Sequence, residues 1–323
     1  MSVLLGGFDI GGTKCAAVLG SAADGKVEIT AKHSFPTPAT PEETIAKFSE
    51  AMGELLKAAD AASPLKAIGI SCGGPLDSRR GLVLSPPNLP GWDRIDVVTP
   101  LRERFGVPVA LQNDANACAL AEWRWGAGRG VSSMVFLTFG TGMGAGLILD
   151  GRLYAGISDM AGEAGHMRLE EDGPVGYGKA GSFEGFCSGG GIARLGRTLA
   201  EAHIRQGGTT AICTNLEGLE GITAKAVFDA ANGGDALALE TVGIVGRKLG
   251  RGLALLVDLL NPERIVIGSI YARQEALLRP LVMEELAREA LPLSLEACEI
   301  VPSKLGEHVG DAASLSVALH ALE

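Results

Sequence analysis

At 323 residues, 46% hydrophobic but only 5% aromatic, with 46 glycines and a formal net charge of −10, the chain has length for two packed cores and an acidity that repels a phosphate backbone. No lysine or arginine block offsets that charge, so nucleic acid is not an expected partner. Glycines and charges break every apolar run well short of a membrane span, the start of the chain lacks the basic stretch of a signal peptide, and six scattered cysteines form no Cys-x-x-Cys pair. The expectation is a cytoplasmic protein with reduced thiols, no membrane partner and no cysteine-built metal site.

In chain order, Val3 to Ile10, Lys14 to Gly20 and Lys26 to His33 read as strands joined by glycine-bearing turns. Thr40-Pro41-Glu42-Glu43 is a helix start with a capping box, and apolar residues recur at helical spacing to Leu56. Strands follow at Ala67 to Ser71 and Val107 to Gln112, separated by the proline-rich loop Ser85 to Trp92 and a helix from Pro100 to Phe105. A second round begins near Ser133, with strands at Met134 to Phe139 and Ala145 to Leu149. The remainder reads as helices Ile192 to Ala202, Ala224 to Ala231 and Asp235 to Leu260, a strand Arg264 to Ile267, a helix Gln274 to Glu289 and a closing helix from Val309. This alternation predicts an α/β protein of two lobes around a cleft.

Two segments repeat one another. Phe8-Asp9-Ile10-Gly11-Gly12-Thr13-Lys14-Cys15-Ala16 and Leu137-Thr138-Phe139-Gly140-Thr141-Gly142-Met143-Gly144-Ala145 each place a glycine turn between two strands. Such turns direct N–H groups at an anion with no side chain in the way, and Asp9 at a strand end suits magnesium held through water. A plain hairpin turn accounts for the first motif equally well when it is taken alone. The run Gly140 to Gly146 also has the look of a dinucleotide fingerprint, but a strand rather than a helix is expected after it.

Asn113-Asp114-Ala115-Asn116 follows a strand and opens a helix. Asp114 there reads either as a helix cap or as the carboxylate that orients an attacking hydroxyl in phosphoryl transfer. Glu163, His166 and Glu184 are polar groups able to exchange hydrogen bonds with several hydroxyls, or ordinary surface residues.

In combination these motifs, with Gly73-Gly74-Pro75, Pro87 to Trp92 and Leu259-Leu260-Asn261-Pro262, resemble the ROK family of repressors, uncharacterised frames and sugar kinases, over nearly the whole chain. The resemblance implies an actin-like ATPase fold. It implies a small lobe of residues 1–114 with 311–323, and a large lobe of 115–310. It further implies that Asp114 is the catalytic base and that Gly74, Asn88, Asn113, Glu163, His166 and Glu184 bind the sugar. Asp9, Gly11, Gly12, Thr13 and Lys14, with Gly140, Thr141 and Gly142, would hold the phosphates of ATP, and Gly268 would border adenine. Magnesium would accompany ATP.

The family's repressors carry a winged helix ahead of the first phosphate turn, and with that turn beginning at Asp9 none is expected here. The implied activity is therefore ATP-dependent phosphorylation of a hexose or N-acetylhexosamine at a primary hydroxyl, glucokinase-like first. A sugar-sensing regulator and an ATPase with a non-sugar substrate are the alternatives. Relatives are commonly homodimers or homotetramers, and the small-residue face Gly243, Gly246, Gly250 admits either a subunit contact or an internal one.

The sequence departs from the family twice. Relatives bind structural zinc through the histidine matching His166 and three cysteines, but the matching stretch Val175 to Glu184 holds no thiol, so no zinc is expected. Tyr177, Ser182 or a nearby carbonyl is then expected to hydrogen-bond His166, with Val175 and Phe183 packing the loop. The second departure is Ser269 after Gly268, where relatives have paired glycines.

Overall fold

The computed structural model describes residues 2–59 and 63–323. Strand β1 (Val3–Ile10) pairs antiparallel with β2 (Lys14–Ala23), and β2 with β3 (Lys26–Pro36). Helix α1 (Pro41–Ala58) starts at the expected cap, where the Thr40 hydroxyl accepts from the Glu43 N–H at 3.2 Å and proline fills the first turn. Strand β4 (Leu65–Cys72) returns parallel to β1. A short antiparallel meander follows, β5 (Leu76–Asp77), β6 (Leu82–Leu84) and β7 (Asp93–Asp96), with the proline-rich loop as the β6–β7 connection. The burial of Trp92, 2% exposed, anchors that loop. Helix α2 (Thr99–Phe105) leads to β8 (Val109–Asn113), which completes a sheet of order β3-β2-β1-β4-β8, and α3 (Asp114–Trp125) begins at once.

A second five-stranded sheet has the order β11-β10-β9-β14-β15, from β9 (Met134–Leu137), β10 (Ala145–Leu149), β11 (Arg152–Leu153), β14 (Arg264–Ile267) and β15 (Glu299–Pro302). Between β11 and β14 lie the hairpin β12 (Val175–Gly176) and β13 (Lys179–Ala180), then α4 (Phe183–Phe186), α5 (Gly189–Arg205), α6 (Ala224–Asn232) and α7 (Ala236–Leu260). Helices α8 (Ser269–Glu289) and α9 (Pro292–Glu296) flank the approach to β15, and α10 (Val309–His320) closes the chain. The helix expected from Gln274 has an extra turn in front of it. Gln274 itself is non-helical, at φ −123° and ψ 24°, and the chain kinks there. Among the described residues, no helix is long and apolar enough to cross a membrane.

The chain divides into two compact units. The first holds the described residues up to Phe136, with Gly146–Ala161 and Lys304–Glu323; the second holds Leu137–Ala145 and Gly162–Ser303. The lobe boundary expected after Asp114 falls inside the first unit, because α3 packs against α10. The first sheet is buried on both faces. Phe8, Phe35, Phe48 and Met52 fill one side, and Leu5, Val18 and Leu315 the other. Close approach of α10 demands glycine beneath it, since a Cβ on Gly69 would stand 2.1 Å from the Ser314 carbonyl oxygen.

In the second unit α7 lies on α8 in the same way. A Cβ on Gly246 would stand 2.6 Å from Leu281 Cβ, and one on Gly250 2.6 Å from Glu285 Cβ. Those two members of the small-residue face therefore make an internal helix contact.

Candidate active site

In the first unit, Asp9 sits one residue before the end of β1, paired with Ala16 on β2 and Ser71 on β4. The turn that follows is closed by the Gly11 N–H donating to the Lys14 carbonyl at 3.2 Å, and the Thr37 hydroxyl donates to the Gly11 carbonyl at 2.6 Å. Its tip, Gly12, Thr13 and Lys14, is exposed. The tip also abuts the proline-rich loop, because a Cβ on Gly12 would stand 2.5 Å from the Asn88 carbonyl oxygen. Gly74 and Asn113 meet nearby, a Cβ on Gly74 falling 3.3 Å from Asn113 Nδ2, while one on Gly73 would be 3.7 Å from Asn88 Oδ1. Thus Gly12, Gly74, Asn88 and Asn113, far apart in sequence, form one cluster.

The two readings of Asp114 separate here. Asn113 is the N-cap of α3, its Oδ1 accepting from the N–H groups of Ala115 at 2.9 Å and Asn116 at 3.4 Å. Asp114 is the first helical residue and accepts from the Ala115 N–H at 2.8 Å. Capping is Asn113's task and occupies its Oδ1, not its Nδ2 group.

Solvent reaches the Asp114 carboxylate, yet crowding by protein atoms on its other sides raises its pKa above the ordinary carboxylate range, opposed by the Ala115 N–H. Asp9 is pushed up to about 6 by burial first, then by the charges of Asp114 and Asp311, with Lys32 acting the other way. Lys32 Nζ pairs with Asp311 Oδ1 at 2.5 Å. Neither Lys32, on β3, nor Asp311, in the first turn of α10, belongs to a motif, so sequence alone offered no signal for them. Among the described residues, no group of three or more His, Cys, Asp or Glu side chains converges to hold a metal ion.

The second unit carries the other glycine hairpin. The Thr138 N–H donates to the Gly144 carbonyl at 3.0 Å, the Gly144 N–H returns to Thr138 Oγ1 at 2.9 Å, and the Gly140 N–H donates to the Gly142 carbonyl at 3.0 Å. Gly140 and Thr141 stand on the wall of a cavity of about 760 Å³, with Ile222, Phe228, Ser269 and Gln274. Gly268 caps α8 and donates its N–H to the Leu137 carbonyl at 2.9 Å; its neighbour Ser269 reaches the cavity wall. Ser269 has φ +48°, the left-handed conformation in which glycine is unstrained. Lys225 and Asp229, also on this wall, pair at 2.5 Å across one turn of α6 and read in sequence as an ordinary solvated helix face.

The sugar-binding candidates of this unit gather beside the hairpin. Glu163 precedes the short 3-10 turn Ala164–His166 and His166 ends it, both exposed. Glu184 lies in the first turn of α4, and its Oε2 accepts from the Met143 N–H at 3.0 Å. Gly165 fits between the two, where a Cβ would stand 2.2 Å from the Met143 carbonyl oxygen and 3.2 Å from Glu184 Cβ.

The expected support of His166 needs correction. Ser182 Oγ accepts from the Gly185 N–H at 3.1 Å as the cap of α4 and donates to the Gly176 carbonyl at 3.5 Å, so it does not serve the imidazole. Tyr177 meets His166 edge-on through its ring rather than by a hydrogen bond, with centroids 5.5 Å apart and planes at 80°. A carbonyl is involved in the opposite sense, as Lys179 Nζ donates to the carbonyl of His166 at 2.7 Å. Phe183 is fully buried as expected, against Gly252 of α7, but Val175 is 45% exposed.

The ROK family model matches residues 5–319. The glucokinase of Thermotoga maritima is 32% identical over 313 residues, 96% of each chain. A ROK family glucokinase from Streptomyces griseus, solved with glucose and AMPPNP, superposes with a TM-score of 0.75 at 30% identity, covering 98% of this chain and 99% of that one. A ROK family transcriptional regulator, a homologue of the E. coli MLC protein, superposes with a TM-score of 0.84 at 25% identity, covering 99% of this chain and 78% of its own. The mixed α/β architecture is the actin-like ATPase fold of these proteins. With a match that runs from the first strand to the last helix, this chain belongs to the ROK family.

Proposed function

We propose that the protein transfers the γ-phosphoryl group of ATP to a primary hydroxyl of a hexose or N-acetylhexosamine, in the cytoplasm where ATP is available. The observation that carries this reading is the division of labour at the start of α3: Asn113 caps the helix, so Asp114 is not needed as a cap. Asp114 then orients the acceptor hydroxyl and takes its proton as the oxygen attacks the γ-phosphorus, and ADP departs. The sugar ligands proposed in the first unit are Gly74, Asn88 and Asn113, and those proposed in the second are Glu163, His166 and Glu184.

In each unit the first glycine N–H closes the turn, Gly11 onto the Lys14 carbonyl and Gly140 onto the Gly142 carbonyl, which leaves the N–H groups of Gly12 and Thr13 in one turn and of Thr141 and Gly142 in the other for phosphate. The cavity walled by Phe228, Ser269 and Ile222 takes the adenine, with Gly268 at its border. The acids Asp9, Asp114 and Asp311, offset in part by Lys32, suit a cation brought in by the phosphates. Asp9 would hold magnesium through water, and magnesium supplies charge neutralisation of the phosphates when bound. Self-association as a homodimer or homotetramer belongs to the same proposal, supported by the exposed leucines Leu259 and Leu293, and sedimentation reports it.

The test is ADP release measured over a panel of hexoses and N-acetylhexosamines. Sugar-dependent ADP release supports the proposal. Sugar-dependent thermal stabilisation with no ADP release favours a sugar-sensing regulator instead.

A further inference from the structure

Tyr177 holds a backbone conformation that its side chain disfavours. Strands β12 and β13 pair with Val175 opposite Ala180 and Gly176 opposite Lys179, so Tyr177 and Gly178 alone form the loop. Their φ angles are +43° and +76°, the pattern of a type I′ turn, which ordinarily takes Asn-Gly or Asp-Gly. Gly178 adopts it without strain, whereas a Cβ at Tyr177 crowds the backbone. Core packing does not compensate, since Tyr177 is 70% exposed. What the ring does contact is the imidazole of His166, edge-on at 5.5 Å between centroids.

The same hairpin delivers a second side chain to the same residue. Lys179 Nζ donates at 2.7 Å to the His166 carbonyl, which ends the 3-10 turn Ala164–His166 where a cation suits an unsatisfied carbonyl. The root of the hairpin is fixed, as the Phe183 N–H donates to the Met167 carbonyl at 2.8 Å and a Cβ on Gly176 would stand 2.5 Å from the Gly185 nitrogen. Among the described residues, no hydrogen bond reaches the His166 ring, so its orientation depends on contact with Tyr177. An unfavourable turn residue whose ring meets the His166 imidazole points to a role in the site.

We propose that Tyr177 and Lys179 are positioning residues: the ring of Tyr177 sets the angle of the His166 imidazole and Lys179 holds its main chain, so that the β12–β13 hairpin braces His166 for sugar binding. This rests on the proposed role of His166 as a sugar ligand. A brace of this kind acts on sugar affinity and leaves the ATP side untouched.

The experiment measures sugar KM, ATP KM, kcat and Tm for His166→Gln, Tyr177→Asn, Tyr177→Phe, Lys179→Met and Lys179→Arg in the full chain. Asn suits the turn better than Tyr, so Tyr177→Asn is expected to keep or raise Tm while sugar KM rises about three- to tenfold, the loss of one aromatic pair. Tyr177→Phe retains wild-type behaviour. Lys179→Met raises sugar KM to a similar extent with ATP KM unchanged, and Lys179→Arg restores most of it. An unchanged sugar KM in Tyr177→Asn, or a rise accompanied by lower Tm and higher ATP KM, overturns the brace. If His166→Gln itself leaves sugar KM unchanged, the sugar role of His166 falls together with the brace; a response in His166→Gln with a silent Tyr177→Asn removes the brace alone.

Discussion

The carboxylate of Glu184 accepts a hydrogen bond at 3.0 Å from the backbone N–H of Met143, in the glycine hairpin proposed to hold phosphate. One acidic side chain, proposed as a sugar ligand, thus also supports the hairpin, and a Cβ on Gly142 would lie 2.9 Å from its Oε2. Glu184→Ala leaves that N–H without its acceptor and frees the hairpin to shift. The expected result is a rise of about tenfold or more in both sugar KM and ATP KM, as a charge-assisted hydrogen bond is lost. Glu163→Ala is expected to raise sugar KM alone. Two-substrate steady-state kinetics on both variants read this directly, and an unaltered ATP KM in Glu184→Ala would contradict the coupling.

Asp114→Asn keeps the size of the side chain and an acceptor for the Ala115 N–H but removes the base. Turnover is expected to fall by about 10² to 10⁴, with sugar binding preserved. Calorimetric titration of sugar into the variant, alongside kcat, separates the two effects. Near-normal turnover would remove Asp114 from the mechanism.

Asp9 makes a pH-dependent prediction. Its carboxyl is pushed up to about 6 from the ordinary 3.8, mainly by burial and then by Asp114 and Asp311. A carboxyl whose pKa is raised by folding favours the folded state below its unfolded pKa, and that contribution is lost as pH rises through about 6. Asp9→Asn should therefore be more stable than the wild type above about pH 6, with the difference vanishing near pH 4. Urea unfolding across that range gives the curve, and a difference independent of pH would refute the assignment. In the wild type, kcat/KM should fall as pH drops below about 6, because the ionised form is the one suited to magnesium.

Ser269 offers a substitution that relieves strain at the cavity wall. A side-chain-bearing residue at φ +48° costs about 1–2 kcal/mol, against about 0.5–1 kcal/mol of extra unfolded-state freedom that glycine brings. Ser269→Gly is expected to raise Tm slightly. A lower Tm would mean that the serine side chain contributes more than its backbone costs.

Local patterns made much of this protein readable before any coordinates. Thr40 to Glu43 dictated the start of α1 through cap chemistry, and glycine between two runs of β-formers dictated both hairpins, since each rests on neighbours within a few residues. The strand Glu299–Pro302, the meander β5–β7 and the β12–β13 hairpin escaped notice because each is two to four residues long and too short to show a period. Of the candidate site, Asp9, Asp114 and the glycines were legible because their motifs are contiguous.

By itself, the sequence determined the family, the order of the elements and the absence of cysteines from the stretch Val175 to Glu184, all properties of residue type and spacing. Only the tertiary structure decided which residue caps α3, that Lys32 and Asp311 join Asp9, that Glu184 reaches the hairpin at Met143, and that Tyr177 and Lys179 rather than Ser182 attend His166. Each of these is a contact between segments remote in the chain or a choice between neighbouring side chains, set by packing and by where unsatisfied N–H and carbonyl groups lie once the chain has folded.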